Sequence, residues 1–391
     1  MLRLAVNAVP LRSPLTGIGQ YIRQLMVAIA GRGDIDIRYF YGTGWDRRPI
    51  ASPMPVADAA KRAIKKTIPF AYIVVRTAQR PFFASGVRAF RPHIYHEPNY
   101  IALPFRGPMV STLHDLSFVR YPETQPKERL KHLERYLPNT LARAAHIITD
   151  SEAVRREAIT HFGIEPERVT AIHLGVDTLF VPREEAACRA RLAARGLQHG
   201  GYALSVGTLE PRKNLAAAIR AFGTLPERLR GVTPLVIAGQ RGWLSGEIEN
   251  LIHTGEAAGW LRFLGFVPQE ELPVIYAGAR LFVYPSRYEG FGLPVVEAMA
   301  SGVPVITSSV SCLPEVAGDA ADLVHPDDVD GLRISMEKLL EDEGHRVELR
   351  AHGIERAKRF SWQRCAEETV AVYRRVAAVG GDAEARLKMD R

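Results

Sequence analysis

The residues best suited to chemistry lie in one stretch, Val283-Tyr-Pro-Ser-Arg-Tyr-Glu-Gly-Phe-Gly-Leu-Pro-Val-Val-Glu-Ala-Met-Ala-Ser-Gly302. It reads as strand, turn and helix. Gly290 and Gly292, either side of Phe291, let the backbone come close to a ligand and turn amide N–H groups toward it. Pro294 suits a first helical turn and Gly302 the far end. The helix that opens at Leu293 therefore presents an anion site just outside the carboxyl end of a parallel strand. Glu289 stands at the mouth of the turn. Glu297 falls within apolar helical sequence (Val295, Val296, Ala298, Met299), where a carboxylate needs hydrogen-bond donors; a diol such as ribose supplies two. The plain alternatives are an ordinary tight turn for the glycines and a salt-bridged structural glutamate for Glu297.

Other candidates lie elsewhere in the chain. Arg212 and Lys213 follow the run Tyr202–Val206 and so share the same sheet edge. An isolated Arg-Lys pair is more often a solvated surface feature, but the shared edge favours two fixed cations facing an anion. His114-Asp115 ends a further strand-like run; a lone histidine is more often structural, and only its strand-end position singles it out. Gly17-Ile-Gly19-Gln-Tyr-Ile22 fails as a dinucleotide fingerprint, because Ile22 takes the place of the third glycine and the loop is long. His93-x-x-His96-Glu97 offers zinc donors, but a strand end is the wrong scaffold for two histidines three apart. Asp34-x-Asp36 enters an ordinary strand. Both read as structural, and no metal is expected.

Two series of elements must hold these residues. In the first half, Leu2–Ala8, Ile35–Tyr41, Met109–Leu113, His146–Thr149 and Val169–His173 read as strands. Gln20–Ala30, Pro126–Ala145 and Glu152–Phe162 read as helices, the last capped by Ser151. Residues 181–201 are charged and Ala/Arg-rich, and read as a linker. The pattern then restarts with strands Tyr202–Val206, Leu235–Ala238, Arg262–Val267, Leu281–Pro285 and Val303–Thr307. Between them come helices Leu215–Phe222 (with Asn214 as cap), Gln269–Ala277 and Leu293–Ser301. Short apolar strands alternating with helices imply βαβ units, hence two doubly wound parallel-sheet α/β domains facing across a cleft. The expected division is 1–183, a linker 184–200, 201–361, and a last helix 362–391 crossing back to the first domain.

The chain has 391 residues, 47% apolar and 24% charged, which excludes disordered and fibrous classes. No apolar run reaches the ~18 residues of a membrane span, and the first residues read as a strand rather than a secretory signal. Cys188, Cys312 and Cys365 form neither a disulfide framework nor a zinc spacing, which fits a reducing cytosol. Residues 1–185 hold 26 Lys and Arg against 17 Asp and Glu, whereas the remainder holds 25 against 26. Eight of the cations (Lys61, Arg62, Lys65, Lys66, Arg76, Arg80, Arg88, Arg91) fall in residues 58–91 with one acid, Asp58, and interleaved aromatics. A solvated helix face is the plain reading; a surface for anionic lipid headgroups is the functional one. No zinc-finger, RRM or KH signature supports nucleic acid.

The run Glu-Gly-Phe-Gly-Leu-Pro-x-x-Glu-Ala-Met-Ala-x-Gly-x-Pro-Val resembles the E-x7-E signature of GT-B retaining glycosyltransferases of family GT4. The likeness extends to Gly17-x-Gly19, Thr112-Leu-His-Asp-Leu-Ser-Phe118, Val206-Gly-Thr-Leu-Glu-Pro-Arg-Lys-Asn-Leu215 and Phe360-Ser-Trp362. It implies a GT-B fold, with acceptor in the first domain and nucleotide sugar in the second. Glu289 would touch the transferred sugar, Glu297 the ribose, and Arg212 and Lys213 the diphosphate. Gly290, Phe291, Gly292 and Leu293 would line the donor site, Gly17 and Gly19 would complete the phosphate cradle, and His114 would contact the sugar ring. No residue reads as a covalent nucleophile, so same-face transfer is expected, with no metal and with domain closure excluding water.

Within the family the chain resembles bacterial GDP-mannose-dependent mannosyltransferases of O-antigen and exopolysaccharide assembly. The resemblance implies GDP-mannose as donor, a lipid-linked glycan acceptor, and a cytoplasmic enzyme peripheral on the inner face of the inner membrane through residues 58–91. UDP- or dTDP-sugars (glucosyl or rhamnosyl transfer) and a non-catalytic nucleotide-binding subunit are the alternatives. A nicotinamide oxidoreductase is disfavoured by the broken fingerprint.

Overall fold

The computed structural model describes residues 1–12, 17–49 and 71–389. Two compact units divide the chain: Met1–Gly175 with Trp362–Arg391, and Val176–Ser361. Each is built on a parallel sheet whose central strands are continuous apolar runs. That pattern belongs to strands buried on both faces.

The first unit contains β1 (Leu2–Asn7), β2 (Ile35–Phe40), β3 (Trp45–Asp46), β4 (Ile94–Glu97), β5 (Met109–Leu113), β6 (His146–Thr149) and β7 (Val169–Ala171). Their order is β3-β2-β1-β4-β5-β6-β7, parallel except for the β2–β3 pair. Chain order reverses between β1 and β4, so the crevice beyond their carboxyl ends is the place where such a sheet takes a ligand. Helix Gly17–Ala30 packs along the final helix, Trp362–Met389, which belongs to this unit. Helix Glu152–Phe162 starts at Ser151, whose side chain accepts a bond from the Val154 amide, and stops at Gly163 in the left-handed conformation.

The second unit contains β8 (Ala203–Val206), β9 (Leu235–Ala238), β10 (Leu261–Gly265), β11 (Leu281–Tyr284), β12 (Val305–Ser308) and β13 (Ala321–Val324). Their order is β10-β9-β8-β11-β12-β13, parallel throughout, and the reversal falls between β8 and β11. Helix Leu215–Gly223 lays Leu215, Ala218, Ile219 and Phe222 on Leu235, Ile237, Leu281 and Val283 of the sheet. Each such aliphatic side chain taken out of water contributes about 1.5–3 kcal/mol. At the carboxyl edge the strand ends crowd together. A Cβ on Gly239 would lie 1.8 Å from the Gly207 carbonyl oxygen, so only glycine fits there.

Two expectations are corrected. Residues 184–200 are not a linker: they contain helix Glu185–Ala193, with Cys188, Leu192 and Leu197 buried in the second unit, and the units part at Gly175–Val176 instead. The apolar positions, spaced by four and five, were hidden in a charged composition. Asn214 precedes its helix but does not cap it with its side chain. At φ +56° it donates instead to the carbonyls of Pro285 and Pro326, at 3.1 and 2.7 Å.

Candidate active site

The second unit's switch point is made by two loops. After β8 the chain turns through Pro211–Lys213; after β11 it runs Pro285–Gly292 into helix Leu293–Ala300. The loops are tied to each other at their backbones. Arg287 N donates to the Arg212 carbonyl at 2.9 Å, and Ser286 Oγ lies 3.1 Å from the same oxygen. This fixes the four charged side chains they carry.

Glu289 is buried at the centre. Its Oε1 accepts from Lys213 Nζ at 2.7 Å, Tyr284 Oη at 2.9 Å and Ser286 Oγ at 2.6 Å, and its Oε2 from Arg212 at 3.2 Å. Arg212 also bonds Glu210 at 2.7 Å and the Tyr288 carbonyl. Burial alone raises a carboxyl, but Lys213, Arg212 and the hydrogen bonds win and hold Glu289 down at about 2. Two cations thus face two carboxylates.

Beside this cluster, Gly292 at φ +100° opens helix Leu293–Ala300, with Pro294 in its first turn. A Cβ at Gly292 would lie 2.7 Å from Leu313, so both the conformation and the space require glycine. Ser311 and Cys312 hold the loop by donating to the Glu289 carbonyl at 2.8 and 3.1 Å. Glu297, one turn along the helix, is in a different state: burial pushes its carboxyl up to about 7, the Tyr276 hydroxyl pulls it down, and Asp177 adds to the rise. It takes up and releases a proton near neutrality, and donors arriving beside it would favour the ionised form.

Arg212, Lys213, Glu289 and the Gly290–Leu293 turn are therefore brought together, with Glu297 farther along the same helix. Glu210, Tyr284, Ser286 and Ser311 were missed from the sequence, although the first three stand within the quoted motifs. Ser311 gave no signal, being aligned only by the fold.

In the first unit, Gly17 and Gly19 open helix Gly17–Ala30, Gly17 exposed with open space around its Cα and Gly19 buried. Beneath that helix, the Tyr21 ring meets His114 edge-on, 4.8 Å between centroids. His114 Nδ1 donates to Asp150 at 2.7 Å and Nε2 to the Pro98 carbonyl at 2.8 Å. Both partners accept, so the arrangement favours the protonated ring. Burial opposes that charge, yet Asp150 and Pro98 prevail and raise the histidine. Pro98, His114 and Asp150 each lie just past the end of β4, β5 and β6, and the imidazolium joins those three ends. His93 and His96 do not form a metal pair: His93 Nδ1 accepts from Arg3 N at 3.2 Å, while His96 meets Tyr373 at 2.7 Å and Thr112 at 2.8 Å. Among the described residues no cluster of His, Cys, Asp and Glu is placed to hold an ion, and no helix is long and apolar enough to cross a membrane.

Comparison with known proteins agrees with this geometry. Residues 197–360 match the family model for glycosyl transferases group 1, and residues 15–179 that for glycosyltransferase family 4. The chain is 38% identical to an O-antigen chain mannosyltransferase B of Escherichia coli, over 93% of this chain and 97% of that one. It is 34% identical to a serotype-specific mannosyltransferase WbdA of the same species, over 60% of this chain but 29% of that longer one. Among solved structures, a sucrose-phosphate synthase from Thermosynechococcus elongatus superposes with a TM-score of 0.76 at 22% identity, covering 97% of this chain and all of that one. The chain belongs to the family 4, group 1 glycosyltransferases, with the two parallel-sheet units of the GT-B fold, and is a glycosyltransferase.

Proposed function

We propose that this enzyme transfers an α-mannosyl group from GDP-mannose, with retention of configuration and no metal, to a lipid-linked oligosaccharide or polysaccharide acceptor. The observation that carries the reading is the pairing of Arg212 and Lys213 with Glu289 at the switch point of the second sheet. Fixed cations there stabilise the charge that grows on a departing diphosphate more than they stabilise the ground state. In this reading the diphosphate takes over Lys213 and Arg212, and Glu289 turns to the sugar hydroxyls. Glu297 receives the two ribose hydroxyls, which stabilise its ionised form. The amides of Gly290, Phe291, Gly292 and Leu293 face the phosphates. His114, with both nitrogens engaged, holds the loop at Pro98.

Mannose and the O-antigen acceptor are supported by the two Escherichia coli relatives, whose names state mannosyl transfer. Work on a lipid-linked acceptor at the inner leaflet is supported by the basic stretch 58–91, of which residues 58–70 lie outside the described structure. A thermal-shift series with GDP, UDP and dTDP, followed by transfer from radiolabelled GDP-mannose, tests the donor. Stabilisation by GDP with turnover is expected. Stabilisation and turnover with a UDP- or dTDP-sugar alone would replace GDP-mannose and leave the diphosphate site standing.

A further inference from the structure

A second cationic site lies in the first unit, between helices Ala71–Phe90 and Lys127–Arg143. It is a pocket of about 100 Å³ whose polar lining includes Arg76, Arg80, Arg143, His132, Tyr136 and Asn139, and no carboxylate. Arg76 and Arg80 stand four apart on one helix, and His132, Tyr136, Asn139 and Arg143 follow the stripe i, i+4, i+7, i+11 on the other. Two stripes from separate helices thus converge on one space.

The charges there are not neutralised. Arg76 donates to the carbonyls of Ile101 and Ala102, at 2.9 and 2.6 Å, and Arg143 to the carbonyl of Phe105. These bonds aim the guanidinium groups and leave their charge uncancelled. Among the described residues none of the three arginines forms an ion pair. Glu97 feels Arg76, but its oxygens are engaged by Asn7, Tyr95 and Asn99. Like charges four apart on a helix repel, and a third cation across the pocket adds to that. His132 is kept neutral by burial and then by Arg76, so its ring, the Tyr136 hydroxyl and the Asn139 amide are neutral hydrogen-bonding groups between the arginines.

We propose that this pocket binds a phosphate group, carried either by a lipid headgroup or by a soluble phosphate ester. Guanidinium forks match tetrahedral oxyanions in shape and charge. The pocket has room for a phosphate group. The site is independent of the donor site, which lies in the other unit.

The full chain is titrated with sodium phosphate and with glycerol phosphate against sodium chloride at matched ionic strength, following thermal stability. Saturable stabilisation beyond chloride is expected, weakened about tenfold in Arg80→Gln, in line with the loss of one charge-assisted hydrogen bond, and unchanged in Lys213→Ala. Arg80 is exposed and bonds nothing among the described residues, so that variant folds whatever becomes of Arg143→Gln. Sedimentation with phosphatidylcholine vesicles, with and without phosphatidylglycerol, then separates the sources. Phosphatidylglycerol-dependent binding that Arg80→Gln weakens and soluble phosphate displaces assigns a headgroup. Stabilisation by glycerol phosphate with vesicle binding indifferent to Arg80 assigns a soluble ester. Equal effects of phosphate and chloride overturn the proposal. So does an effect that Lys213→Ala removes and Arg80→Gln leaves intact.

Discussion

The two sheets share a design and differ in what they do with charge at the place where strand order reverses. Between β8 and β11, Glu289 is flanked by Lys213 and Arg212 and stays ionised far below neutrality, at about 2. Between β1 and β4, Glu97 is fully buried and receives only neutral donors. Asn7 gives both oxygens a bond at 3.0 and 2.9 Å, and Tyr95 gives one at 2.6 Å. Burial lifts it to about 7, with Arg76 and those bonds pulling down. Its neighbour His96 is driven to about 3 by burial and by His114. One crevice holds paired charges at its rim; the other locks a near-neutral network into the core. Topology marks both crevices, and side-chain chemistry sets them apart.

The strongest way to break that contrast is Glu289→Ala. It leaves two mostly buried cations with one carboxylate between them, which costs about 3 kcal/mol. Transfer should fall about a thousandfold, the upper range for one electrostatic group. Glu289→Gln separates the two effects: it keeps an acceptor for Ser286 and Tyr284 but not the charge, so it recovers only the hydrogen-bonding part of the stability, and it stays inactive. It should also bind GDP more tightly than the unmodified enzyme, since no carboxylate then competes for Lys213. Weaker GDP binding in calorimetry, or normal turnover, would remove Glu289 from the role of displaceable countercharge. Next in size is Lys213→Ala, which loses a charge-assisted contact and should weaken GDP about 10–100-fold. An unchanged affinity would take Lys213 off the diphosphate.

Much of this contrast was legible in the sequence on one side and not on the other. The second unit's site is written locally: Glu289, the Gly290–Gly292 turn and Glu297 share one helix and its approach, and Arg212 and Lys213 follow a readable strand. Strand positions were equally local. Met109–Leu113, His146–Thr149 and Leu235–Ala238 lie where their apolar runs put them. Glu97 meets Asn7, and His96 meets Tyr373, only because β1, β4 and the final helix pack together, and no spacing in the chain announces it. Asn214 misled because asparagine before a helix suggests a cap, while its amide reaches carbonyls 71 and 112 residues away. The linker failed for a related reason. Composition averages over a segment, and burial of Cys188 and Leu192 is decided by two positions.

The pH dependence of stability sharpens the comparison at a smaller scale, because the two carboxyls act with opposite sign. Glu289 is depressed, so its contribution is full above about 4.5 and is lost as pH falls toward 2. Glu97 is raised, so its contribution is full below about 4.5 and is lost as pH rises toward 7. Glu97→Gln should therefore flatten the decline between pH 5 and 7 by about 2 kcal/mol, leaving the part that Glu297 supplies. Denaturant unfolding at pH 5, 6 and 7 reads this directly, and a slope as steep in the variant would place Glu97 outside the titration.

The smallest expected effect comes from Ser151→Ala, beside Asp150. Removing the side-chain cap on Val154 N, at 3.2 Å, should cost about 1 kcal/mol. The His114–Asp150 bond does not pass through that hydroxyl, so the histidine keeps its raised affinity for a proton. The variant separates a helix start from a charge-bearing strand end one residue away. Lower thermal stability with an unshifted His114 titration, followed by NMR of the ring protons, keeps the two apart. A titration that moves with the cap would show that the first unit's neutral network and its one buried cation behave as a single structure, and the contrast between the crevices would then hold for strand ends rather than for whole sheets.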